Sequence, residues 1–74
     1  MRENLLRAVM AQFESQALTA RANLEVYLNA AVGVGEHPDL VGEIAKLTAS
    51  ITEAEENVRT LEVLIGQTLV GEEQ

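Results

Sequence analysis

Gly33-Val34-Gly35-Glu36-His37-Pro38-Asp39 decides how this chain folds, because it is the one stretch where several chain breakers fall together. Glycine just after an apolar run is the usual stop of a helix. Proline suits the first turn of the next helix, where its missing N–H needed no partner. Asp39 then puts a negative charge in that first turn, where the helix dipole favours it. The stretch predicts a short loop over 33–37 with a helix on each side.

The apolar residues on the two sides support that reading. Upstream, Leu6, Met10, Phe13, Ala17, Ala20, Leu24, Tyr27 and Ala31 follow alternating spacings of four and three. Downstream, Leu40, Ile44, Leu47, Ile51, Ala54, Val58, Leu61 and Ile65 do the same. Both are heptad seams, the signature of coiled-coil helices and not of strands. They predict an all-α chain with helices over about 3–32 and 38–70, each roughly 45 Å long at about 1.5 Å per residue.

Folding the chain back at the loop ties one seam to the other. Pairing residues whose numbers sum to 71 joins Leu6 with Ile65, Met10 with Leu61, Phe13 with Val58 and Ala17 with Ala54. The same rule joins Ala20 with Ile51, Leu24 with Leu47, Tyr27 with Ile44 and Ala31 with Leu40. Neither seam was fitted to the other, so the match points to an antiparallel, coiled-coil-like two-helix hairpin. The layers differ in size. At Ala17/Ala54 two methyl groups face each other, which is read either as close approach of the helices or as a waist filled by a neighbouring chain or a ligand.

The chain has 74 residues, which makes 1–74 a single domain. It has no Cys or Trp, one Phe, one Tyr, one His and one Pro. A disulfide scaffold and a thiolate metal site are therefore excluded. Chains this short rarely draw more than about 3–5 kcal/mol from one core, so a partner is the first expectation. Leu5, Val9, Leu18, Leu28, Val32, Val34, Val41, Val63, Leu64, Leu69 and Val70 lie off the paired seam. Their number on so thin a structure predicts a homo-oligomeric bundle, a dimer or a larger closed ring. Gly42 and Gly66 each cost a helix interior about 1 kcal/mol relative to alanine. Gly66 is expected to end the regular helix or to allow close packing, and 71–74 to be a frayed acidic tail.

The formal charge is −7, and it is unevenly placed. Residues 1–32 balance Arg2, Arg7 and Arg21 against three glutamates, whereas residues 33–74 hold nine acidic residues against Lys46 and Arg59. Five dispersed cations are a poor basis for binding nucleic-acid phosphates, so direct nucleic-acid binding is not expected. The acid excess is read as a solvated helix face, or else as a mimic of nucleic acid that occupies a basic host surface. Val26 to Gly35, the longest uncharged run, is far below the ~20 residues that span a bilayer, and no targeting signal is visible. A cytosolic protein without membrane contact is expected.

Reactive groups cluster only at the loop. Glu36, His37 and Asp39 lack the i, i+4 spacing of helical metal ligands, and a capping or solvated role is expected instead of a metal. Gly33-x-Gly35 before a helix has the outline of a phosphate cradle, but Glu36 and Asp39 oppose an anion and no lysine follows at the required spacing. Ser15 and Ser50 have no histidine within reach, so no enzyme activity and no cofactor are implied. A binding site is the remaining candidate. Arg21 lies beside the waist, with Gln16, Thr19, Ser50 and Glu55 near the same level. Arg21, Ala17, Ser50 and Ala54 are taken as residues that line a pocket between assembled hairpins.

Asn23-Leu24-Glu25-Val26-Tyr27-Leu28-Asn29, followed by Val32-Gly33-Val34-Gly35-Glu36-His37-Pro38-Asp39 and an acidic helix, resembles short, mostly uncharacterised proteins of tailed bacteriophages. The resemblance covers the middle two thirds of the chain, and VGVGEHPD is its most distinctive part. It implies an accessory phage protein working in the host bacterial cytoplasm. In size and class the chain is similar to small helical phage proteins that assemble and sequester nucleotide immune signals, an anti-defence role. The expected partners are therefore a second copy of the chain, with a small nucleotide or a host protein as target. An acidic inhibitor of a host protein and a small structural part of the virion are the alternatives.

Overall fold

The computed structural model describes residues 1–30 and 39–72. Two helices account for nearly all of them: α1 (Arg2–Ala30) and α2 (Leu40–Glu72). They pack lengthwise as a hairpin, and no strand occurs among the described residues. The predicted loop at 33–37, the Pro38 helix start and the innermost layer Ala31/Leu40 fall on or reach into 31–38, outside the described residues. Val32 and Val34 lie there as well.

Every described residue of both predicted seams is buried or half-buried. The seam also runs one layer further than the apolar pattern showed. Glu3 and Thr68, whose numbers again sum to 71, continue the four-three spacing and are half-buried. Their polarity hid them from a count of apolar residues. Glu3 is polar at a seam position, but its carboxylate accepts a 2.6 Å hydrogen bond from Arg7 Nε one turn along, which keeps its charge compensated at the open end of the hairpin.

Helix α2 starts at Leu40, two residues later than the expected start at Pro38. The Asp39 carbonyl accepts the 2.9 Å bond from the Glu43 amide, which makes Asp39 the capping residue and not part of the first turn. Its carboxylate lies over Gly42, where an added Cβ would overlap Asp39 Oδ1. Glycine at this third helical position leaves room for that carboxylate. At the other end α2 runs to Glu72, so Gly66 does not end it, and Gly71 and Glu72 are helical instead of belonging to a frayed tail. Nothing approaches within 4 Å of a Cβ added at Gly66, which rules out a close-packing role within the hairpin.

Threonine is a weak helix former, and α2 tolerates it on its solvent side for a local reason. The hydroxyls of Thr48, Thr52 and Thr60 donate to the carbonyls of Ile44, Thr48 and Glu56 at 2.8, 3.1 and 3.1 Å. Each satisfies its own polar group without leaving the helix.

The core is thin. Ala17, Ala20, Ile51, Ala54, Leu61 and Ile65 are buried, but no large side chain among the described residues is fully buried. Two helices can cover each other on one side only, so Phe13, Leu24, Tyr27 and Leu47 stay half-exposed. The radius of gyration, 17.2 Å, compares with about 11 Å for a compact chain of this length. Leu5, Val9, Leu18, Leu28, Val41, Val63, Leu64, Leu69 and Val70 are exposed as expected, and Met1 and Val26 join them. Among the described residues no helix is long and apolar enough to cross a membrane.

Candidate functional site

The waist predicted from Ala17 and Ala54 is where the helices come together most completely. Ala54 is 0% exposed and Ala17 8%, with Ala20 and Ile51 in the next layer also buried. The seam is shut here within the hairpin although the side chains that meet are small. Within the single hairpin the alanine layer is therefore covered by the two helices themselves.

Lettering the seam positions a and d places Arg21 and Glu55 at e, and Gln16 and Ser50 at g. Reversing one helix of a pair brings e opposite e on one edge and g opposite g on the other. Both contacts are present. Arg21 Nη2 donates to Glu55 Oε2, and on the opposite edge Gln16 Nε2 donates to Ser50 Oγ at 3.3 Å. One ion pair and one neutral hydrogen bond therefore clamp the alanine waist from its two sides.

The edges differ in cover. On the g edge Gln16, Glu43, Ser50 and Asn57 are half-buried. On the e edge Glu14, Arg21, Thr48 and Glu62 are exposed, and the seam is visible from outside through an open groove of about 500 Å³. Ala17 and Val58 form its floor. Glu14, Leu18 and Arg21 rise from α1, and Glu55, Arg59 and Glu62 from α2. A second depression of about 470 Å³ continues along α1 from Leu18 and Arg21 to Leu28, with Leu24 of the seam at its base.

The four residues singled out from sequence are split by this geometry. Arg21 and Ala17 belong to the e-edge groove, Ser50 lies on the g edge, and Ala54 is enclosed between them. A single hairpin does not gather them into one pocket. Sequence reasoning missed Leu18, Arg59, Glu14 and Glu62 as groove residues. The signal that locates them is their heptad position, since e and b residues of both helices border the same edge.

The groove is chemically mixed. Two guanidinium groups face three carboxylates above an apolar floor, and one guanidinium is already paired to Glu55. Among the described residues no three acidic or histidine side chains converge on a cation-sized site. Of the loop trio, Glu36 and His37 lie outside the described residues, and Asp39 caps α2. No protein family matches the chain, and no curated protein or solved structure is detectably similar to it.

Proposed function

We propose that the chain is a non-enzymatic accessory protein that self-associates through its hairpin and acts by binding where copies meet. One observation carries this reading: among the described residues, eleven large apolar side chains are exposed and no large side chain is fully buried. Burying such side chains is worth about 1.5–3 kcal/mol each, and the hairpin alone leaves that stabilisation unused. Size-exclusion chromatography with light scattering across a concentration series tests it. A dimer or larger species is expected, and a monomer at every concentration overturns the reading.

Following the resemblance to short phage proteins, the proposed setting is the host bacterial cytoplasm and the proposed ligand a nucleotide immune signal held between subunits. Arg21 is its phosphate partner, since a guanidinium has donors to spare beyond the one given to Glu55. A nucleotide panel should then raise the melting temperature, with Arg21→Ala removing the effect. No shift with any nucleotide overturns the ligand.

The carboxylates around Arg21 favour a second reading, in which the target is a basic host protein. Glu14, Glu55 and Glu62 repel a phosphate but match a cationic surface, and α2 also exposes Glu53 and Glu56. Binding to such a partner would weaken steeply with salt and be lost on reversing Glu53, Glu55 and Glu56 together. Binding that is insensitive to both overturns this reading.

A further inference from the structure

Exposed apolar side chains are not spread evenly along the hairpin. Of the eleven large ones among the described residues, seven lie at its open end: Met1, Leu5 and Val9, with Val63, Leu64, Leu69 and Val70. The middle has Leu18, and the loop end has Val26, Leu28 and Val41. On the last turns of α2 the apolar residues surround the helix. Ile65 occupies the seam, Leu69 and Leu64 take the flanking positions e and g, and Val63 and Val70 take f, on the side away from α1. A helix that is apolar all round is one that becomes buried, and α1 covers a single side of it.

Charge singles out the same end. Residues 1–10 and 63–72 set Arg2 and Arg7 against Glu3 and Glu72, and 63–71 carry no charge at all. Residues 11–62 set nine acidic residues against three basic ones, a net charge of −6. In a two-fold contact a patch meets its own copy, so an apolar, charge-balanced patch is complementary to itself whereas an acidic one repels itself. The open end is therefore the part of the chain suited to a second copy. A strongly charged partner finds no excess charge there to match, and an anionic bilayer would repel the acidic remainder.

Resting on the self-association proposed above, we infer that the open end, residues 1–9 with 63–70, is where a second copy of this chain docks, the acidic spans lying outside the contact. The area available agrees. The chain exposes 5547 Å², against about 4,450 Å² for a compact monomer of its mass. The excess of about 1,100 Å² is more than the roughly 800 Å² that each partner gives to a standard interface.

The test is sedimentation of the full chain over a concentration series. Leu5→Glu and Val63→Glu should each weaken self-association by about tenfold or more, as should the milder pair Leu5→Ser/Val63→Ser. Val26→Glu and Leu28→Glu, at similarly exposed positions of the loop end, should not. Raising salt should leave association intact or strengthen it, because the contact is apolar and the bodies it joins repel one another. A wild-type monomer at every concentration overturns both the docking site and the self-association on which it rests. An oligomer indifferent to the Leu5 and Val63 variants, or one that dissociates steeply with salt, overturns this site and leaves self-association standing. A monomer that sediments with neutral phosphatidylcholine vesicles, and loses that binding in Val63→Glu, gives the surface to a lipid and overturns the second copy as its occupant.

Discussion

Arg21 and Glu55 pair across the hairpin at the same heptad position, e, on the same edge of the alanine waist. Only an antiparallel pairing brings like-lettered flanks together, so this one contact reports both the direction of the helices and their register. Gln16 and Ser50 repeat the statement on the other edge. The pair also governs what Arg21 can do. A cation considered as a phosphate ligand already has a carboxylate partner, and any anion must compete with it.

Arg21 and Glu55 are more than a third exposed, their side chains retaining 57% and 39% of their accessibility. A double-mutant cycle with Arg21→Ala and Glu55→Ala, read by urea unfolding, should therefore give a coupling of only about 0.2–1 kcal/mol, falling as salt is raised. A much larger coupling would mean that the pair is buried in an assembly.

The waist should resist enlargement. Ala54 is wholly covered and faces Ala17, so Ala54→Leu must separate the helices or distort its own rotamer. A loss of about 1–3 kcal/mol is expected in thermal or denaturant unfolding. An unchanged midpoint would show that the helices are not in close approach there.

Two glycines of α2 should respond differently to alanine. Gly66 has open space around its missing Cβ and an ordinary helical backbone, so Gly66→Ala should stabilise by about 1 kcal/mol. Gly42→Ala gains the same propensity but must push aside the Asp39 carboxylate, so its net gain should be smaller. Circular-dichroism melts of the two variants make the comparison. A smaller gain at Gly66 than at Gly42 would contradict the geometry, or place Gly66 in an interface between copies.

A disulfide should record the register directly. Ala17 and Ala54 occupy one layer, and the chain has no cysteine of its own. The variant Ala17→Cys/Ala54→Cys should oxidise within one chain in dilute solution. Closing that loop should add about 4 kcal/mol against denaturant in the chain-entropy account. Cross-linking only between chains would refute the hairpin register.

The helices and their layers were open to sequence reading because a four-three apolar spacing specifies a helical face, and two such faces on one chain specify how they meet. Residues that depart from apolar character at seam positions were not readable in that way. Glu3 and Thr68 extend the seam, yet a count of apolar residues stops at Leu6 and Ile65. Helix ends were harder to read for a related reason: proline and glycine mark tendencies, whereas the backbone bond from Glu43 to Asp39 sets the actual start of α2, and the helix runs through Gly66 and Gly71 to Glu72.

By itself the sequence determined an all-α hairpin, its register and its surplus of apolar surface, since spacing and burial tendency are properties of residue order. Tertiary structure alone decided which polar residues share an edge. Arg21 and Ser50 are level with one another yet lie on opposite sides of the waist, and Leu18, Arg59 and Glu62, distant in sequence, border one groove. The reason is physical: two packed helices have two different flanks, and only the direction of pairing assigns each side chain to one of them.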